Sequence, residues 1–292
     1  MSPTVYVILT GKCNQQCEYC FYTQEGFRKK EDKLRLERLS GFLSQAKNRG
    51  FREITLTGGE PFLKKSLLLS VIDFAGDLGL KININTNGTL LDDKLIDDLG
   101  SRGPLNLFLP GRSIIKKLIS KKKFEVLAKK FNLKIIHVIT KNNLEDIQKI
   151  IDIVDKAGAE LILQPAYIAK GYGQYKKLSL HELDPAGRAL FAKKFTAWAK
   201  IYKKPEYRDL VLRYYATGRD TFKKPKFCHM GKNDLVVDSD GSVYPCFHLL
   251  NLKLGNIIDD SPRKIFQAAK TSCKNSQKAQ CFGEHCISLF YS

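Results

Sequence analysis

Residues 11–22 read Gly-Lys-Cys-Asn-Gln-Gln-Cys-Glu-Tyr-Cys-Phe-Tyr and follow directly on the apolar run Val5-Tyr6-Val7-Ile8-Leu9. The run reads as a buried strand, so Cys13, Cys17 and Cys20 stand at C-x3-C-x2-C spacing on the loop leaving its carboxyl end. Three thiolates can hold three irons of a four-iron cluster and leave the fourth iron open. An electron-carrying cluster normally has four cysteine ligands, so the triplet points to chemistry at an open iron. A zinc site or a set of core thiols is the competing reading. Zinc calls for a fourth Cys or His close by, and the nearest histidine in sequence is His137.

Working outward, two more strands run into glycine turns. Ile54-Thr55-Leu56-Thr57 gives way to Gly58-Gly59-Glu60-Pro61, and Lys81-Ile82-Asn83-Ile84-Asn85 to Thr86-Asn87-Gly88. Glycines there let main-chain groups approach a ligand closely. Strands are expected at residues 5–10, 53–57, 81–85, 105–109, 133–139 and 160–164. Helical periodicity runs from Leu34 to Lys47, from Leu67 to Leu78 and from Leu144 to Lys156. Alternating strands and helices predict an α/β fold of parallel strands joined by crossover helices, whose working groups gather at the carboxyl ends of the strands. Cys13, Gly58 and Asn85 all stand at such ends.

Composition fits an enzyme-sized chain. With 292 residues, 43% of them hydrophobic, the chain can bury a full core and hold one large domain plus a small one. No apolar run approaches the ~20 residues of a membrane span, and no cleaved leader is visible, so no membrane association and a cytoplasmic location are expected. Eight cysteines without a secretion signal suit reduced thiols that serve metal. The net charge of +19 is concentrated in part: residues 112–134 carry nine Lys or Arg against one Glu, and a second basic stretch spans Lys193 to Lys204. Such a surface would attract a polyanion or an acidic peptide. The excess is mostly Lys and no nucleic-acid module is visible, so a solvated surface is the expectation and nucleic acid is not the expected partner.

Taken together, the cysteine triplet, Gly58-Gly59-Glu60-Pro61 and Thr86-Asn87-Gly88 resemble the motifs of the radical S-adenosylmethionine (SAM) superfamily, in that order. The resemblance implies a partial (β/α)6 TIM-like barrel. It also implies a [4Fe-4S] cluster on Cys13, Cys17 and Cys20, and SAM bound by that cluster. Tyr19 would lie beside the adenine and Gly58, Gly59 and Glu60 at the methionine amino group, with Asn85 and Asn87 also lining the SAM site. The family's reaction is reductive cleavage of SAM to methionine and a 5′-deoxyadenosyl radical, which removes a hydrogen from the substrate. Many relatives place Ser-x-Asp-Gly after the fourth strand, whereas this chain reads Phe108-Leu109-Pro110-Gly111. Polar contacts supplied there in relatives must come from elsewhere, with Thr140, Lys141 or Asn142 as candidates. Gln164-Pro165 and the Lys170-Gly171-Tyr172-Gly173 loop are further candidate lining segments, though ordinary turn chemistry explains them equally well.

The other five cysteines lie toward the carboxyl end. Cys228, Gly241 and Cys246 stand in a Cys-x12-Gly-x4-Cys pattern, followed by Cys273, Cys281 and Cys286. The pattern resembles the SPASM extension of radical SAM enzymes. A full extension uses seven cysteines for two clusters, so five imply its shortened twitch form, a small α+β domain with one auxiliary [4Fe-4S] cluster on Cys228, Cys246, Cys281 and Cys286. Cys273 is open between three roles: a ligand in place of Cys281, a hydrogen donor to a substrate radical, or an inert thiol. Structural zinc is the alternative here too, since His229, His248 and His285 each neighbour a cysteine. The expected division is a barrel over 1–180, a helical linker over 181–222 and the twitch domain over 223–292.

By resemblance the substrate is a ribosomally made peptide, oxidised, crosslinked or epimerised, and the electron donor a flavodoxin or ferredoxin. The chain opens almost on the first strand with no leader-binding domain in view, so recognition of a peptide is expected from a partner in trans. Dehydrogenation of an aminocyclitol or sugar alcohol and modification of a nucleotide are the enzymatic alternatives. A metal-binding protein without catalysis is the alternative of a different class.

Overall fold

The structure is a computed structural model that describes residues 2–24, 30–217, 233–247 and 249–275. Its elements in chain order are β1 (Thr4–Ile8), α1 (Phe21–Gln24), α2 (Leu36–Asn48), β2 (Glu53–Thr57), α3 (Lys65–Asp77), β3 (Lys81–Asn85), α4 (Asp93–Gly100) and β4 (Leu105–Pro110). There follow α5 (Gly111–Ile115), α6 (Lys121–Lys130), β5 (Asn132–Ile139), α7 (Asp146–Lys156), β6 (Glu160–Pro165), α8 (Tyr175–Leu178), α9 (Pro185–Ile201) and α10 (Pro205–Thr217). The last are β7 (Asp234–Val237), β8 (Ser242–Tyr244), β9 (Gly255–Asn256) and α11 (Pro262–Asn275).

One sheet runs β6-β5-β4-β3-β2-β1-β7-β8-β9. Its first six strands pair in parallel, and the crossover helices between them make a partial barrel rather than a closed one. Beyond β1, β7 adds a further parallel strand in the register Thr4↔Asp234 to Val7↔Val237, and the β7–β8–β9 meander continues antiparallel. The carboxyl-terminal segment is thus hydrogen-bonded directly onto the first strand of the barrel.

Alternation along the strands separates two faces. Val5, Val7, Ile54, Leu56, Ile82, Ile84, Leu105, Leu107, Leu133, Ile135, Leu161 and Leu163 are buried against the helices. The opposite face carries Tyr6, Thr57, Asn85, Phe108, Ile136, Val138 and Gln164, all of which line a cavity. Trp198 of α9 is fully buried and donates its indole N–H to the Leu161 carbonyl at 3.0 Å, pinning the late helices to β6.

β1 ends at Ile8 rather than at residue 10. Leu9 still donates to the Thr57 carbonyl at 2.9 Å, but Thr10 turns out of the ladder to accept from Gly59 N. Within the basic stretch the chain forms α6, which the charge pattern hid. Ser120 caps it by accepting from Lys123 N, Phe124 and Leu127 face the core, and Lys121, Lys122, Lys129 and Lys130 are exposed.

Candidate active site

The loop bearing the three cysteines is held from three sides. The first hold is the glycine turn after β2: Gly59 N donates to Thr10 O at 2.8 Å and Glu60 N to Lys12 O at 2.9 Å. A Cβ on Gly59 would stand 2.2 Å from the Lys12 carbonyl oxygen, so this glycine answers to the cysteine loop itself. The second is the turn after β3. Asn87 Nδ2 donates to Asn14 Oδ1 at 2.8 Å and lies 3.8 Å from Cys13 Sγ, while Asn14 donates to Thr89 Oγ1 at 2.9 Å. The third is α5, from which Arg112 Nη1 reaches Cys17 Sγ at 3.1 Å and Gln15 Oε1 at 3.3 Å.

Glu60 is fully buried and its carboxylate serves the scaffold. It accepts from Thr86 Oγ1 at 2.7 Å, from Asn87 N at 2.8 Å and from Phe62 N at 3.1 Å. Burial raises its pKa, and those three hydrogen bonds oppose the rise by favouring the charged form. The turn after β2 is therefore tied to the turn after β3 through one carboxylate. Gly88 and Ser113 extend the tie: Gly88 N donates to Thr86 Oγ1, and Ser113 Oγ to the Asn87 carbonyl at 2.9 Å.

A cavity of about 430 Å³ opens beside this loop. Cys13, Cys17, Cys20, Tyr19, Gly58, Gly59, Asn85 and Asn87 line it, together with Phe108 and Pro110 from the segment that replaces Ser-x-Asp-Gly. Burial, first, and the neighbouring Cys17 push the Tyr19 phenol well above its ordinary range, so it stays protonated at neutral pH. Glu60 and Thr140 are not among the lining residues. Thr140 is buried at the end of β5, where its N–H donates to Asn143 Oδ1 at 2.7 Å. Much of the remaining wall is aromatic: Phe21, Tyr22, Tyr167, Tyr175, Tyr214, Tyr215 and Phe247 all face the space, with His181, beside the aliphatic Leu109, Ile136, Val138 and Ile168. His181 lies 4.8 Å from both Tyr214 and Tyr215, ring centre to ring centre. No Asp, Glu, Lys or Arg is among the described lining residues.

Cys246 follows β8 as a half-buried thiol, and its neighbour Phe247 packs edge-on against Tyr6 at 5.2 Å and Phe21 at 6.1 Å. The carboxyl-terminal hairpin therefore forms part of the cavity wall. Cys228, Cys281 and Cys286, with His229, His248 and His285, lie outside the described residues. Cys273 belongs to α11, but its side chain is likewise outside the description. Arg112 and the Tyr214-Tyr215 pair are site features that the motifs did not announce. Arg112 directly follows the retained glycine at the end of β4, and its position in the departing segment was the available signal.

The residues present fit a four-iron cluster with an open iron. Three half-buried thiols, none of them in a disulfide, share one loop at the cavity edge, and Gln15 N (3.4 Å) and Asn87 Nδ2 lie near Cys13 as Arg112 lies near Cys17. Donors of this kind stabilise thiolates over thiols and set the properties of a cluster on them. His137 is no fourth ligand for zinc there: it is buried on the opposite face of β5, under Gly111, where a Cβ would stand 2.6 Å from its Nδ1.

Comparison with known proteins agrees with the geometry. A cysteine-type anaerobic sulfatase-maturating enzyme of Clostridium perfringens is 27% identical, covering 88% of this chain and 78% of its own. A probable GTP 3′,8-cyclase of Sulfurisphaera tokodaii is 28% identical over 83% of this chain and 80% of its own. Among solved structures, native anSMEcpe with bound AdoMet superposes with a TM-score of 0.66 at 20% identity, covering 97% of this chain and 87% of the other, a likeness of fold. Residues 228–286, which begin at Cys228 and end at Cys286, match the SPASM iron-sulfur cluster-binding domain. Residues 7–160, more than half of the chain, match the Radical SAM superfamily, and the chain belongs to that superfamily.

Proposed function

We propose that this radical SAM enzyme modifies a peptide, taking hydrogen from an uncharged or aromatic side chain seated in the cavity. The cavity wall carries the reading. Beyond the cysteines it is built of aromatic and aliphatic side chains with small or amide ones, and no formally charged group is among the described lining residues. An apolar residue of a peptide gains by burial against such a wall, whereas the phosphates of a nucleoside triphosphate would meet no basic partner among the described lining residues. The sulfatase-maturating relative, which by its name acts on a protein, supports the same reading.

In this reading Cys13, Cys17 and Cys20 hold the catalytic cluster, and Cys228, Cys246, Cys281 and Cys286 one auxiliary cluster. When bound, the catalytic cluster and SAM supply the reductive cleavage that yields a 5′-deoxyadenosyl radical. The chain contributes the rest. Asn87, Glu60 and Gly59 hold the cysteine loop, Gly58 lies at the methionine end, Tyr19 and Asn85 shape the nucleotide end, and the aromatic wall excludes water and orients the target carbon. Thr140 acts through the backbone of the β5 turn, outside the cavity. Cys273 remains a candidate hydrogen donor, and a flavodoxin or ferredoxin the electron donor.

The similarity to a GTP 3′,8-cyclase favours a nucleotide as the second reading. Anaerobic turnover with SAM, a low-potential reductant and side-chain-deuterated peptides separates the two. Deuterium in 5′-deoxyadenosine from a peptide is expected, whereas label arriving only from deuterated GTP would overturn the peptide assignment. Cys17→Ala should abolish SAM cleavage while iron at the auxiliary site persists. Undiminished cleavage in that variant would refute the ligand assignment.

A further inference from the structure

Arg112 stands where the chain departs from the Ser-x-Asp-Gly pattern. It is the second residue of α5, whose first residue, Gly111, lies so close on the buried His137 ring that no side chain would fit between them. Ser113 ties the same turn to the Asn87 carbonyl. With the helix start pinned on both sides, the Arg112 guanidinium reaches back to Cys17 Sγ at 3.1 Å, using Gln15 Oε1 as its second acceptor. The acidic group on the loop, Glu18, has its own cation: Lys177 Nζ bonds its Oε1 at 2.9 Å. Arg112 therefore keeps direct hydrogen-bond contact with the Cys17 sulfur, and its pull on Glu18 is the smallest of the charges that act there.

We propose that Arg112 sets the reduction potential of the cluster proposed for Cys13, Cys17 and Cys20, making it easier to reduce. The inference rests on the radical SAM reading of that site. Reduction takes one electron from an external low-potential donor, which is oxidised by one electron, and adds one negative charge to the cluster and its thiolates. A fixed cation in hydrogen-bond contact with one ligand sulfur favours the more negative state, since net charge and hydrogen bonds to sulfur are main determinants of such potentials. Arg keeps this charge at any working pH and holds its planar fork in place, which Lys does only in part. Arg112 is in this sense a positioning and tuning residue, acting through Cys17.

The test is potentiometry of the anaerobic holoenzyme followed by electron paramagnetic resonance, reading the reduced-cluster signal that changes when SAM is added. Arg112→Gln should keep iron and sulfide content but lower the reduced-to-oxidised ratio at a fixed poise by roughly tenfold, about 59 mV for one electron. Arg112→Lys should fall between Gln and wild type. A wild-type potential in iron-replete Arg112→Gln overturns the proposal. Should that variant fail to load iron, hyperfine spectroscopy of wild-type enzyme carrying ¹⁵N-arginine decides. A ¹⁵N coupling to the reduced cluster is expected, and its absence overturns the proposal. If the wild-type protein forms no SAM-responsive cluster at all, the fault lies in the family-based reading of the site and the inference falls with it.

Discussion

A methyl group on Gly59 would meet the Lys12 carbonyl oxygen at 2.2 Å, backbone against backbone, so neither side can yield cheaply. Gly59→Ala should leave the barrel folded but push the cysteine loop off its two hydrogen bonds, and iron and sulfide analysis should show the Cys13, Cys17 and Cys20 site depleted. Full loading would mean the loop tolerates the shift. His137 raises a different question at the same scale. Its side chain is 2% exposed, and neither ring nitrogen has a hydrogen-bond partner among the described residues. Burial pushes its pKa from 6.5 down to about 4, with Asp146 opposing the fall. As pH drops through about 6.5 the unfolded chain takes up a proton that the folded protein refuses until about 4, so stability is lost across that window. Between pH 7 and pH 5 the loss from this group is on the order of 2 kcal/mol. Denaturant unfolding of His137→Leu should show a flatter pH dependence over that range, and parallel curves for the two proteins would refute the assignment. Neither behaviour was legible in the sequence. Gly59 read as a ligand contact because its motif did, and His137 read as a distant histidine because nothing local marks the face of a strand.

Elements are joined by an amide ladder on the face of the sheet that also bears the cavity residues. Asn132 Nδ2 donates to Asn106 Oδ1 at 2.6 Å, Asn106 Nδ2 to Asn83 Oδ1 at 2.6 Å, and Asn83 Nδ2 to Glu53 Oε2 at 3.0 Å. The register pairs Asn83 with Asn106 and Asn106 with Asn132, so one side chain from each of β3, β4 and β5 meets its neighbour directly. Polar residues on a barrel's inner face are tolerated when every group finds a partner; removing the middle one leaves the buried Asn83 Oδ1 without its donor, while the exposed Asn132 can turn to water. Asn106→Ala should therefore cost about 1–3 kcal/mol in denaturant unfolding; a neutral result would show that the outer rungs re-pair or take up water. The strands were readable from their alternation, with β2 and β3 matching the expected spans, but the ladder depends on register. α6 escaped the periodicity because only Phe124 and Leu127 are buried in a run otherwise dominated by lysine.

Across the whole molecule, the segment after the cysteine loop is fastened to the carboxyl-terminal hairpin. Lys30 Nζ contacts Asp238 Oδ2 at 2.5 Å and Tyr244 OH at 3.0 Å, and Lys33 N and Leu34 N both donate to the Ser239 carbonyl. Asp238 is fully buried, and burial raises its pKa against the pull of Lys30. Asp238→Ala should lower stability by about 1–3 kcal/mol, since Lys30 keeps some solvent exposure. It should also quicken proteolysis near residue 30 in native buffer. Unchanged thermal melting and digestion would show that backbone pairing alone holds the two regions. The sequence by itself determined the order of the motifs, the alternation that makes a parallel sheet and the three thiols on one short loop, because spacing and periodicity are local properties of a chain. The tertiary structure alone decided that β7 pairs with β1, that Arg112 meets Cys17 and that aromatic rings from α10 and the hairpin close one cavity. Those contacts join residues 95 to more than 200 positions apart, and only the packed core brings such positions within reach.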